Sequence, residues 1–157
     1  MKSLLQILIV CFLSLFLLYA CGGGGKNIES ISLYPVGSSG EFQYIDAEGQ
    51  IVISPQFSEA TIFRDGVALV KTSGDGALFG YISEKGEYEI MPNYTQATVF
   101  SEGLAWVVTE GGAPAAIDSK GEIKFTLQDA AKAMNFSEGL AAFSMFEEGD
   151  MKWGFIN

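Results

Sequence analysis

The sequence predicts an all-β fold: an array of three-stranded antiparallel β-repeat units, three full and two partial, with a short helical or 3-10 turn in each. Two linked recurrences predict it. One phrase runs Phe42-Gln43-Tyr44-Ile45-Asp46-Ala47-Glu48-Gly49 and returns as Phe79-Gly80-Tyr81-Ile82-Ser83-Glu84-Lys85-Gly86. It returns more weakly as Pro114-Ala115-Ala116-Ile117-Asp118-Ser119-Lys120-Gly121, and starts again at Trp153-Gly154-Phe155-Ile156-Asn157. The turn glycines lie 37 and then 35 residues apart. A second block follows each phrase in the same order: Phe63-Arg64-Asp65-Gly66-Val67-Ala68, Phe100-Ser101-Glu102-Gly103-Leu104-Ala105 and Phe136-Ser137-Glu138-Gly139-Leu140-Ala141. Blocks that recur together at a fixed period mark units that stack, because no such unit buries its apolar face alone.

Ahead of the repeats, Met1-Lys2 gives a short basic start, and Leu4 to Tyr19 is an apolar run interrupted only by Gln6 and Ser14. Such a run reads as a secretory h-region or a membrane span, and its flank separates the two. Leu18-Tyr19-Ala20-Cys21 sets a small residue directly before a cysteine, with an aliphatic residue two positions further back. This resembles the lipobox of bacterial lipoproteins, which implies cleavage before Cys21, acylation of Cys21 and a membrane anchor made of lipid. Gly22 to Gly25 cannot continue a helix cheaply and suit a flexible leash. The expected division is a signal peptide over 1–20, a lipidated cysteine and tether over 21–27, and a repeat domain over 28–157. Cys11 leaves with the signal and Cys21 is acylated, so no disulfide is expected in the fold.

Within each unit the residue types explain themselves. Tyr44-Ile45 and Ile51-Val52-Ile53 favour a pleated, half-buried surface. Asp46-Ala47-Glu48-Gly49 between them is a tight turn, its aspartate able to bond backbone two residues on and its glycine supplying positive φ. Pro55 and Pro92 are expected to stop the second strand, since proline cannot donate to a ladder. Phe57, Ala60 and Phe63 follow at spacing three, as do Tyr94, Ala97 and Phe100, and then Ala130, Ala133 and Phe136. That spacing predicts one helical or 3-10 turn laid across the sheet. Third strands are predicted over Val67 to Lys71, Leu104 to Thr109 and Leu140 to Ser144. Upstream, Ile31-Ser32-Leu33-Tyr34-Pro35-Val36 and the turn Gly37-Ser38-Ser39-Gly40 read as the end of an incomplete unit.

Trp153-Gly154-Phe155-Ile156, the turn glycine six residues before Pro55 and Pro92, and the Phe-x-x-Gly-Leu/Val-Ala block together resemble the WG-repeat proteins of bacteria. The resemblance covers about residues 31–157. Only the last copy keeps both Trp and Gly, the third has Pro114-Ala115 in their place, and Leu127 stands where the others have proline. The resemblance implies a β-repeat array often found in exported proteins, and it carries no catalytic residues.

The remaining chemistry is narrow. The chain has no histidine, which removes Ser-His-Asp triads, Cys-His pairs and His-based zinc sites. No phosphate-binding loop is present. The net charge is −10 with no run of like charge beyond two neighbours, so nucleic acid is not expected as a partner. Carboxylates remain: Glu87 and Glu89 on one strand, and Glu147, Glu148 and Asp150 in a turn, where Ca²⁺ would lack the EF-hand spacing. Trp106 is the candidate binding residue, because it stands where the other units have Leu69 and Ala142. An exposed Trp there would stack on a sugar or anchor a protein, and the alternative is that it packs between units. Trp153, inside the phrase, is read as structural.

The expected function is a non-enzymatic, lipid-anchored cell-envelope repeat module that presents an interaction surface for protein or glycan, with no cofactor and no metal. The alternatives are a carboxylate-based glycan hydrolase and a fragment of a longer repeat protein.

Overall fold

The computed structural model describes residues 32–38 and 40–157, within a compact unit spanning Ile31–Asn157. The predicted signal peptide, Cys21 and the tether lie outside the described residues. Among those described, the fold is all-β and antiparallel throughout, in sheets of six, four and three strands whose spatial order follows the chain. The first sheet holds β1 (Tyr34–Ser38), β2 (Glu41–Ile45), β3 (Ile51–Ala60), β4 (Ala68–Thr72), β5 (Phe79–Ile82) and β6 (Tyr88–Tyr94). The second holds β7 (Gln96–Ala97), β8 (Leu104–Val108), β9 (Ala115–Asp118) and β10 (Ile123–Thr126). The third holds β11 (Ala130–Ala133), β12 (Ala141–Glu147) and β13 (Asp150–Ile156).

The expected helical or 3-10 turn is absent among the described residues, and strand stands in its place. β3 pairs with β2 through its first half and with β4 through its second. In the next unit the same two jobs fall to β6, which pairs with β5, and β7, which pairs with β8. In the third they fall to β10 and β11, paired with β9 and β12. The backbone N–H groups of Thr61, Thr98 and Met134 donate across to the carbonyls of Leu69, Trp106 and Ala142, at 3.0, 2.9 and 2.8 Å. Amides committed to a neighbouring strand are not available to close a helical turn. Sheet boundaries therefore fall where this long strand is interrupted, at Thr95 and at Leu127–Asp129.

Proline does not stop the second strand either. Phe42 faces Phe57 while Tyr44 faces Ile53, so Ser54-Pro55-Gln56 bulges opposite Gln43. Phe79 facing Tyr94 and Tyr81 facing Ile90 repeat the arrangement around Pro92. A bulge lifts residues out of the ladder, so the missing proline N–H leaves no gap there. Gly80 lies so close that an added Cβ would stand 2.8 Å from the Ile90 carbonyl oxygen and 2.9 Å from the Pro92 nitrogen. At the upstream edge, β1 runs on through Gly37 and Ser38, which the sequence assigns to the turn, and pairs them with Phe42 and Glu41.

Both turn types form as their residues dictate. Asp46 Oδ1 accepts from the N–H groups of Glu48 and Gln50 at 3.0 and 2.8 Å, and Asp118 Oδ1 does the same for Lys120 and Glu122 at 2.9 and 3.0 Å. In the middle unit Ser83 is one bond shorter, and its hydroxyl is buried without a partner among the described residues. The acidic-Gly steps are two-residue hairpins with both central residues at positive φ: Asp65 51° and Gly66 83°, Glu102 55° and Gly103 78°, Glu138 54° and Gly139 75°. That is the type I′ geometry whose twist matches the flanking strands.

The core consists of three clusters, the first two of which repeat one plan. Tyr44 packs with Ile53, Phe63, Ala68, Val70 and Ile82; Tyr81 packs with Ile90, Phe100, Ala105, Val107 and Ile117. The rings repeat their geometry, with Tyr44–Phe63 centroids 5.1 Å apart at 56° and Tyr81–Phe100 centroids 4.8 Å apart at 59°. Each phenol donates to a backbone carbonyl, Tyr44 to Thr61 and Tyr81 to Thr98, both at 2.8 Å. A buried hydroxyl thus gains its partner from the irregular backbone that follows the long strand.

Candidate functional site

The third cluster departs from this plan at Trp106. In register, Trp106 faces Ala116 just as Leu69 faces Tyr81. With Ala116 in place of a tyrosine, the plan is short of one ring. Two residues fill the space: Trp106 in place of leucine, and Phe125 at the position of Ile53 and Ile90. Trp106 stacks on Phe136 with centroids 5.5 Å apart at 8°, and meets Phe125 edge-on at 5.4 Å and 83°. It is 3% exposed. The variation at this position that marked Trp106 as a binding residue has a core origin, and the exposed ring needed for stacking on a sugar is not presented.

Trp106 nevertheless forms part of the wall of a cleft of about 320 Å³. The cleft lies between the β7–β8 side of the second sheet and β11, edge strand of the third. Gln96, Thr98, Val108, Pro114 and Lys132 contribute to its lining, with Ala130, Ala131 and Ala133 making its far side small and smooth. Thr98 Oγ1 accepts from the Trp106 backbone N–H at 3.0 Å, which ties the short β7 to β8. The indole Nε1 is buried without a hydrogen-bond partner among the described residues. Gln96 and Lys132 were not singled out from the sequence, because nothing in their local pattern distinguishes them; the cleft brings the two together from 36 positions apart, across two sheets.

Acidic residues of the hairpin turns have a structural task that the sequence reading missed. Asp65 Oδ2 accepts from the Gly103 N–H at 3.3 Å. Glu102 holds the next turn with both oxygens, accepting from Glu138 N–H at 2.6 Å and Gly139 N–H at 2.8 Å. The first two turns thus reach the next, Asp65 binding one backbone amide and Glu102 two, one unit downstream. Ser101 adds a hydroxyl bond to the Phe136 carbonyl at 2.8 Å. The signal was present in the sequence, as an acid at the same place in every block.

The other carboxylates sit apart. Glu84, Glu87 and Glu89 line an open depression with Lys85. Glu148 and Gly149 form the I′ turn between β12 and β13, with φ of 54° and 90°, and Glu147 is paired to Lys152 at 2.7 Å. Among the described residues, no group of three or more acidic or cysteine side chains is arranged to hold a metal ion. Lys124, hydrogen-bonded to Asp118, holds that carboxyl at about 2, helped by the N–H groups of Glu122 and Lys120. Burial raises the phenols of Tyr44 and Tyr81 well above the usual tyrosine range. No described helix is long and apolar enough to cross a membrane.

Among the described residues, strands that pair only with their chain neighbours, two cores that repeat one plan with a third varied from it, and turns bonded to the next define a stacked antiparallel β-repeat protein. Residues 44–74 and 79–112 each match the family described as WG containing repeat. The third copy, with Ala116 and Leu127 in place of the tyrosine and proline of the first two, falls outside the matched segments. No curated protein and no solved structure matches the chain.

Proposed function

We propose that the protein is a non-enzymatic repeat module of the cell envelope, anchored by lipid on Cys21, which presents an interaction surface to a protein or glycan. The cleft between β7–β8 and β11 is the observation that carries the binding role. Its mixture of short polar groups, one ammonium and a row of alanine methyls suits a small polar ligand with an apolar edge. The lipobox-like flank of Cys21 and the glycine leash support the anchor.

The module is tested on an array of glycans and envelope proteins, with Gln96→Ala and Lys132→Ala as site variants. Binding lost in these variants supports the cleft; absence of hits, or hits unchanged by both variants, removes it. Trp106→Ala is not a site probe, because deleting a buried ring of that size costs about 3–5 kcal/mol of stability. For the anchor, labelled palmitate incorporation is expected in the native chain and absent in Cys21→Ala. Undiminished labelling of that variant would rule the anchor out.

A further inference from the structure

The first two units each carry a pair of rings at the proline bulge. Phe42 faces Phe57 and Phe79 faces Tyr94, and each pair packs on the cluster of its own unit. In the third unit these places fall to Pro114, first residue of the phrase, and to Ala130, which faces Met145 as Phe57 faces Thr72. Trp106 and Phe125 replace the ring missing at Ala116, which is a separate deficit. Pro114 and Ala130 line the cleft of about 320 Å³ beside Trp106, and among its lining residues only Trp106 is aromatic. The cleft is thus the space that a pair of aromatic side chains takes up in the other units.

Its polar groups share one character. The chain carries a net charge of −10, yet no carboxylate lines this cleft and one ammonium, that of Lys132, does. Lys132 forms no ion pair with the described residues. Thr98 Oγ1 accepts from the Trp106 N–H, as Thr61 Oγ1 accepts from that of Leu69. The Thr61 hydroxyl also donates back, to the Leu69 carbonyl at 3.2 Å, whereas the Thr98 hydroxyl donates to no described residue. The Trp106 Nε1–H is the third donor without a partner among the described residues. Three unmet donors around a small apolar space call for an acceptor, and the ammonium favours one that is charged.

We infer that the cleft binds a small aromatic carboxylate of a single ring. This rests on the reading of the cleft as a binding site and names the ligand class it takes. The ring lies against Pro114 and the Ala130 and Ala133 methyls, where Phe79 and Tyr94 lie in the unit before. The carboxylate turns to the Lys132 and Thr98 side of the opening, with the edge of Trp106 beside it. The volume is at the small end for ligand sites, which suits one ring and a short acid arm.

The probe is phenylacetate, titrated into the purified ¹⁵N-labelled protein while the indole N–H resonances are followed by NMR. The chain has two tryptophans, and Trp153→Phe assigns their two signals. A saturable shift of the Trp106 signal is expected, with that of Trp153 unmoved. Cyclohexylacetate, which keeps the charge and loses the aromatic ring, and benzyl alcohol, which keeps the ring and loses the charge, are both expected to bind more weakly. Lys132→Ala weakens phenylacetate about threefold, the scale of an exposed ion pair, and leaves benzyl alcohol unchanged. Ala130→Tyr refills the space and abolishes binding, with circular dichroism and the Trp153 signal reporting that the fold is kept.

No saturable shift of Trp106, equal affinity for cyclohexylacetate or benzyl alcohol, or undiminished binding in both Lys132→Ala and Ala130→Tyr overturns the proposal. A disaccharide that shifts Trp106 where phenylacetate does not, with the shift lost in Ala130→Tyr, overturns the ligand class and leaves the cleft as a binding site. The cleft itself is decided separately, by the Gln96→Ala and Lys132→Ala variants on the array.

Discussion

Trp106 and Ala116 face each other across β8 and β9 in the register that elsewhere joins Leu69 to Tyr81. The large and small partners have exchanged strands, and the ring has crossed from one to the other. A pair related in this way is coupled. Ala116→Tyr alone forces a second ring into a filled space, at a cost of about 1–3 kcal/mol. Trp106→Leu alone leaves Ala116 facing a cavity, at a cost of a similar size. The double variant restores the arrangement of the preceding unit and is expected to recover about 1–2 kcal/mol relative to the sum. Urea denaturation of the four proteins measures this. An additive result would mean that the exchange is incidental.

Glu102 joins two hairpins through two short bonds to backbone amides. Glu102→Ala is expected to lose about 1–2 kcal/mol, the upper end being tempered by solvent exposure. Asp65→Ala, which removes a single longer bond, loses less. Amide hydrogen exchange localises the effect: Glu138 and Gly139 exchange faster in the first variant and unchanged in the second.

Tyr44 and Tyr81 stay protonated in the folded protein beyond the pH at which free tyrosine ionises. A group whose pKa is raised on folding contributes stability that is complete below its unfolded value, about 10, and is lost as pH rises above it. The protein is therefore expected to lose stability in alkali, with phenolate absorbance of these two residues appearing together with unfolding. Tyr44→Phe and Tyr81→Phe each cost about 1 kcal/mol at neutral pH, and each flattens the alkaline loss.

Asp118 works in the opposite direction. Its folded value of about 2 lies below the ordinary aspartate range, so its contribution is present above that range and disappears as pH falls towards 2. Asp118→Asn retains an oxygen for the turn amides but loses the Lys124 ion pair. Acid unfolding monitored by circular dichroism is expected to be less steep between pH 4 and pH 2 in this variant than in the native chain.

The repeat, its turns and its third strands were legible because each depends on local residue chemistry: acid-Gly pairs at positive φ, β-branched runs and an aspartate that caps its own turn. The helical turn was misread for a definite reason. A spacing of three between Phe57, Ala60 and Phe63 also arises when a strand carries a bulge and then bends, and periodicity alone does not separate the two. The prolines misled similarly, since a bulge accommodates the residue that an unbroken ladder rejects. For Trp106, the deciding residue was Ala116. Its small size is informative only once the strands are in register, which is a long-range fact. Gln96 and Lys132, brought together by two sheets, had no local signature at all.

The exchange of ring and alanine also bears on how such an array changes by duplication. The junctions built around Tyr44 and Tyr81 use the same residues in the same places, so a copy of one unit inserted beside the other would meet familiar neighbours. The junction at Ala116 draws its filling from Trp106 on one side and Phe125 on the other. Moved elsewhere, either half would arrive without its counterpart. Two of the joints are interchangeable parts, while the third is keyed and fixes the order in which its neighbours can be assembled.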